Sequence, residues 1–151
     1  MKNKKLEVSA IKDGTVIDHI PADSLFKVIS ILRLDNIKGM ITFGTNLASK
    51  RLGKKAIIKL SDVFFKDKDI NRIALIARDA KLNIIRDYKV IEKKVVEVPD
   101  EISGIAKCVN PMCITNHEQV VTMFNVVDKR EIKLRCHYCE KITDKEHMEI
   151  L

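Results

Sequence analysis

The sequence predicts an α+β chain. Residues 1–99 read as a ferredoxin-like domain, an antiparallel sheet with two helices on one face, and residues 100–151 as a small all-β domain of the zinc-ribbon or rubredoxin-like kind. Three observations carry this expectation. The apolar pattern of the first hundred residues runs strand, helix, two strands, helix, strand, which is the split βαβ order. All four cysteines fall beyond residue 100, in two short-spaced pairs. The charge divides at the same place: residues 1–100 hold 21 Lys and Arg against 13 Asp and Glu, a net +8, and residues 101–151 hold 7 against 8, a net −1.

Leu6 to Ile20 reads as extended, with Thr15-Val16-Ile17 following the turn signal Asp13-Gly14. Pro21-Ala22-Asp23-Ser24 opens a helix whose apolar face is Leu25, Val28, Ile29 and Leu32, and Gly39 lies after its end. Met40–Phe43 and Ala56–Leu60 are the next strands, joined across the basic stretch Lys50-Arg51-Leu52-Gly53-Lys54-Lys55. A second helix starts near Asp67, with Ile70, Ile73, Ala74 and Ala77 in phase, and Leu82 to Val98 is extended again. Pro99-Asp100 marks the boundary. Beyond it come short β-type runs, Val120–Phe124 and Glu131–Leu134, and no amphipathic helix.

With 151 residues, 46% of them hydrophobic, the chain has enough apolar surface for one domain or two small ones, which excludes disorder as its main state. Its apolar runs are interrupted by charge well short of the ~20 residues a membrane span requires. Met1-Lys2-Asn3-Lys4-Lys5 leads into Leu6-Glu7-Val8 and not into an apolar signal segment, so the expected compartment is the cytoplasm.

Cys108-x4-Cys113 and Cys136-x2-Cys139, 22 residues apart, can each put two thiolates on one tight knuckle. Two such knuckles make a tetrahedral four-thiolate cage, the donor set that suits zinc; soft sulfur excludes magnesium and calcium. Two disulfides would suit an oxidising compartment, which nothing here indicates. A redox role for Cys136-x2-Cys139 would need a helix opening after a strand of a βαβ unit. With four thiolates available, His117 and His137 read as surface residues. A closed cage leaves no position for water or substrate, so one structural zinc ion is expected, and its apparent binding energy of ~10–16 kcal/mol exceeds what so small a core supplies. The −1 charge of this half, made more negative by a tetrathiolate site, argues against nucleic-acid binding and for docking on protein.

The first hundred residues hold neither GxGxxG nor GxxxxGK[ST], no catalytic triad and no paired carboxylates. Lys54, Lys55, Lys59, Lys93 and Lys94 sit at strand edges of one small sheet, near Asp18-His19. Two readings stand side by side: a solvated basic face, or a triphosphate site in which ammonium groups and an imidazole meet phosphates while a carboxylate holds ribose.

The run from Leu6 to Pro21, with Gly14-Thr15-Val16-Ile17-Asp18-His19-Ile20-Pro21 at its end, closely resembles the opening of aspartate carbamoyltransferase regulatory chains. So do Ile41–Leu47, Ile57–Leu60, Asn83–Tyr88 and Cys136-His137-Tyr138-Cys139-Glu140-Lys141. The resemblance covers essentially the whole chain and implies a non-catalytic subunit of pyrimidine biosynthesis. It implies that the N-terminal domain binds the nucleoside triphosphates CTP, an inhibitor, and ATP, its competitor, with UTP a third candidate. Val8, Ala10 and Ile11 would border the base, Asp18 the ribose, His19 and Lys93 the phosphates, and Lys59 ribose or base. Asn83, Ile85, Tyr88 and Val90 would line the pocket, with Lys55 and Lys94 as lesser candidates. The zinc domain would dock on the catalytic chain through Asn110 and Glu140, and homodimers joined through the N-terminal sheets would bridge catalytic trimers. The family often has proline after the first cysteine and asparagine before the second; here these are Val109 and Met112. Against this stand a stand-alone nucleic-acid binder, which the charge of the zinc half disfavours, and a zinc hydrolase or deaminase, which needs an open metal position and an H-x-E pattern that the sequence lacks.

Overall fold

The computed structural model describes residues 10–151. The expected first strand is β1 (Gly14–Pro21), and Leu6 to Ser9 lie outside the described residues. After a 3-10 turn over Ala22–Ser24 come α1 (Leu25–Ile31), β2 (Ile41–Ser49) and β3 (Gly53–Ser61). Then follow α2 (Asp67–Ile70), continued by a 3-10 segment Asn71–Leu75, β4 (Lys81–Arg86) and β5 (Lys89–Val95). β1 pairs antiparallel with both β3 and β4, while β2 pairs with β3 and β5 with β4, giving the order β2-β3-β1-β4-β5. Without β5 this is the split βαβ sheet that the sequence predicts.

Three details differ from the expectation, each for a local reason. Leu82 to Val98 is two strands, because Asp87 and Tyr88 both take positive φ, 52° and 65°, the backbone of a tight two-residue hairpin. The second helix is a single α-turn that tightens to 3-10. Its β-branched Ile70, Ile73 and Ile76 are poor helix formers, and the three-residue 3-10 period places all three in the core. In α1 the buried face is Leu25, Val28 and Ile31, with Ile29 and Leu32 packed at its margin; Arg33, left-handed at φ 52°, ends the helix well before Gly39.

The C-terminal part contains β6 (Glu101–Ser103), β7 (Ala106–Lys107), β8 (Met123–Asp128), β9 (Lys133–Cys136), β10 (Ile142–Asp144) and β11 (Glu149–Ile150). They form a four-stranded sheet, β10-β9-β8-β6, and a two-stranded ribbon, β11-β7. The run Val120–Phe124 becomes strand only at Met123. Glu131 and Ile132 belong to a turn, since the Asp128 carboxylate accepts the Arg130 and Glu131 amides at 3.0 and 2.9 Å. A continuous apolar core runs from Ile17, Ile58 and Leu82 under the first sheet to Phe124, Leu134 and the cysteines. No helix of the described residues is long and apolar enough to cross a membrane.

Gly14 opens β1 opposite Ser61, the last residue of β3. It has φ 142°, and a Cβ there would sit 2.0 Å from the Leu60 carbonyl oxygen. Gly14→Ala should therefore destabilise the chain by roughly 1–3 kcal/mol, read as a lower urea midpoint at unchanged slope.

Candidate functional site

The cysteines meet at one point. Cys108 follows β7, Cys113 precedes a 3-10 turn at Ile114–Asn116, Cys136 ends β9, and Cys139 lies in the loop before β10. All four sulfur atoms lie within 4.8 Å of one another, with Cys108–Cys139 at 3.6 Å and Cys113–Cys136 at 3.7 Å. A tetrahedral ion with metal–sulfur bonds of ~2.3 Å requires sulfur–sulfur edges of about 3.8 Å, so the donor set fits such an ion. Cys108, Cys113 and Cys136 are buried and Cys139 is half-buried. Without metal, burial pushes the Cys108 thiol up to about 12. At Cys139 burial also raises the thiol, but hydrogen bonds from the Asn110 side chain and the Lys141 backbone outweigh it and bring it to about 7.

Polar neighbours brace both knuckles. Asn116 Nδ2 donates to the carbonyls of Cys108, at 3.1 Å, and Asn110, at 2.7 Å. Thr115 Oγ1 donates to Cys113 Sγ at 3.2 Å, and the Asn110 side chain accepts the Met112 amide at 3.0 Å. His117 Nε2 lies 2.7 Å from the Pro111 carbonyl, so its ring holds the loop, and His137 stacks edge-on against Tyr138. Asn110, expected at an interface, is thus also part of the knuckle, whereas Glu140 is exposed and pairs with Arg135 at 3.3 Å. Thr115 and Asn116 are the contributors that cysteine spacing alone misses. They lie two and three residues after Cys113, in the turn it precedes, and outer hydrogen bonds of this kind orient metal ligands.

The basic residues are sorted by strand register. Val16 lies opposite Lys59 on one side and Asn83 on the other, and Asn83 lies opposite Lys93, so the four form one row across β3, β1, β4 and β5. The adjacent row, Ile58, Ile17 and Leu82, is buried in the core; side chains alternate, so the Lys59–Lys93 row faces away from the helices. Lys94 opposite Leu82 belongs to the helix side, where it pairs with Asp67 of α2 at 2.9 Å. This corrects its candidacy beside Lys93. Ile85, opposite Val90, shares the face of Asn83.

A bulge in β1 between Ile17 and Ile20 sets the remaining groups. His19 takes φ 60° there, and its amide donates to the Asp18 carboxylate at 2.7 Å. Lys55 Nζ reaches Asp18 at 3.0 Å, while His19 Nδ1 is buried 3.5 Å from it, too far for a good hydrogen bond. Burial pulls the Lys59 ammonium below its ordinary value, opposed by the Asp18 charge. Tyr88 is exposed in the β4–β5 turn, its amide donating to the Lys12 carbonyl at 2.8 Å next to half-buried Ile11 and exposed Ala10. Val8 lies outside the described residues. Val16, at the centre of the row, is the residue that sequence reasoning passed over; its alternation with Ile17 was the available signal.

Residues 6–97 match the family model described as "Aspartate carbamoyltransferase regulatory chain, allosteric domain", and residues 100–149 match the one described as the metal binding domain of the same chain. The chain belongs to the aspartate carbamoyltransferase regulatory chain family. It is 54% identical to the regulatory chain of Bacteroides fragilis over 151 residues, covering 99% of each. It is 55% identical to that of Bacteroides thetaiotaomicron, again over 99% of each, and 52% identical to that of Pyrococcus abyssi over 95% of this chain and 96% of the relative. As a regulatory chain it is a non-catalytic subunit of an enzyme complex, with an allosteric domain, a metal-binding domain and a catalytic chain as partner.

Stripping the metal with a chelator should unfold the C-terminal sheet of the regulatory chain. Amide exchange should lose protection at Phe124 and Leu134 while Ile17 and Ile58 keep theirs. Acidification should release the metal in the same way, since each thiol must shed its proton to bind.

Proposed function

We propose that the chain is the nucleotide-sensing subunit of aspartate carbamoyltransferase, with residues 1–99 as the sensor and residues 100–151 as a zinc-dependent docking module. CTP binds on the open sheet face and inhibits, and ATP, with UTP as a third candidate, competes for the same place. The observation that carries this reading is the row of Lys59, Val16, Asn83 and Lys93, flanked by Asp18 and His19 at the β1 bulge. Lys93 and His19 meet the charge of a triphosphate, Lys59 at the other end of the row reaches ribose or base, and the Asp18 carboxylate offers acceptors to ribose hydroxyls. Ile85 and Val90 supply apolar surface on the same face, and Ala10, Ile11 and Tyr88 stand near the start of β1. The family resemblance adds Val8.

Cys108, Cys113, Cys136 and Cys139 would hold a zinc ion that crosslinks the two knuckles, while Asn110, Thr115 and Asn116 orient these loops. Glu140 and the first knuckle then present a fixed surface to the catalytic chain. The response follows from differential affinity: a nucleotide shifts activity only by binding one quaternary state better than the other. Regulatory dimers joined through their N-terminal sheets would bridge two catalytic trimers in the cytoplasm.

Calorimetric titration of the zinc-loaded chain with CTP and then ATP tests the sensor. Saturable, mutually competitive binding without hydrolysis is expected, and absence of binding at millimolar nucleotide would overturn it. Lys93→Ala should weaken CTP binding at least tenfold, whereas Lys94→Ala should leave it nearly unchanged because that side chain lies on the helix side. Cys113→Ser should abolish assembly with catalytic trimers on gel filtration, and an intact complex would refute the docking role of the metal.

A further inference from the structure

A crevice of about 80 Å³ opens where the two halves of the chain meet, lined by Ser30, Arg33 and Arg72 on one side and Ser103, Gly104 and Ile105 on the other. Arg33 stands just past the end of α1, where its left-handed backbone turns the chain, and Nη2 reaches the Gly104 carbonyl at 3.5 Å. That bond is long and occupies one of the five N–H donors of the guanidinium. Arg72 projects from the 3-10 segment after α2. Asp69 is the only carboxylate within 4 Å of either arginine among the described residues, and at 3.8 Å it lies beyond hydrogen-bond distance. The crevice therefore brings two cations to the seam, with Ser30 and Ser103 in its lining and two carboxylates nearby, that of Asp69 and the terminal one of Leu151, neither within hydrogen-bond distance of an arginine.

We propose that this crevice binds a small tetrahedral oxyanion of the phosphate or sulfate kind, held between Arg33 and Arg72 across the seam. The volume decides the class of ligand. The space is far below the ~300–1,000 Å³ of sites for larger organic ligands, which leaves a small ion of this kind. The planar fork of each guanidinium matches two oxygens of the ion, which a lysine would meet only as a point charge. Ser30 and Ser103 add one donor from each half. An ion bound there ties residues before Pro99 to residues after it, and so stabilises the joined arrangement of the halves. The site is independent of the nucleotide face on β1, β3, β4 and β5.

The test is calorimetry of the metal-loaded full chain with inorganic phosphate and then sulfate, at constant ionic strength set with chloride. One saturable site is expected for each ion. Arg33→Gln and Arg72→Gln should weaken it at least tenfold while leaving CTP binding intact, and Lys93→Ala should leave phosphate binding unchanged. In the wild-type chain, phosphate should move the amide resonances of Ser103 and Gly104. The proposal is overturned by absence of saturation at tens of millimolar phosphate. It is equally overturned if Lys93→Ala removes binding and the arginine variants do not, or if the resonance shifts are confined to Val16, Asn83 and their strand neighbours.

Discussion

Strand β1 lies in the middle of the five-stranded sheet, hydrogen-bonded to β3 on one side and β4 on the other, and its register determines which side chains face the helices. Ile17 with Ile58 and Leu82 is buried; Val16 with Lys59 and Asn83 is turned to the opposite face. A slip of one residue would exchange these sets, placing lysine under the helices and isoleucine in the open, and the desolvation of the ammonium groups forbids it. Gly14 protects the register at the start of the strand, because only a residue without Cβ tolerates the approach of the Leu60 carbonyl. The bulge at Asp18 and His19 then breaks the alternation once, which brings Asp18 against Lys55 and gives His19 its left-handed backbone.

The C-terminal half rests on a different constraint. Its strands are short, two to six residues, and its apolar interior is centred on Phe124, Ile132 and Leu134 beside the cysteines. A core of this size seldom holds alone, and a four-thiolate metal site is the usual supplement. The knuckles are held by local hydrogen bonds from Thr115 and Asn116, so the cage is organised by its own loops and not by the first sheet. The two halves nevertheless share one apolar cluster, and side chains from both line the crevice around Arg33 and Gly104. Motion of one half is therefore resisted by packing against the other.

Charge follows the same division. The positive balance of residues 1–100 is concentrated further by register, which gathers Lys59 and Lys93 on one face and sends Lys94 to Asp67 on the other. The C-terminal half, near neutral, keeps its exposed apolar groups, Val109, Met112 and Tyr138 among them, around the metal knuckles. A basic face and an apolar, charge-poor surface on one chain suit two unlike partners.

The sequence by itself determined the fold class and the spacing of the four cysteines that meet at one point. Each of these is written in local signals: apolar period, turn residues, and cysteine spacing short enough to place two thiolates on one loop. The candidate nucleotide residues were legible only through the family resemblance of their motifs, since scattered lysines have no spacing that separates a site from a solvated face. The tertiary structure decided what depends on strands meeting across long stretches of chain: that Lys93 and Lys94, adjacent in sequence, face opposite sides of the sheet, that Val16 lies between Lys59 and Asn83, and that Arg33 and Arg72 reach one crevice. Register is set jointly by the Asp87-Tyr88 turn, the bulges in β1 and β5 and burial on one face, and a shift of one residue in any of them inverts the outcome.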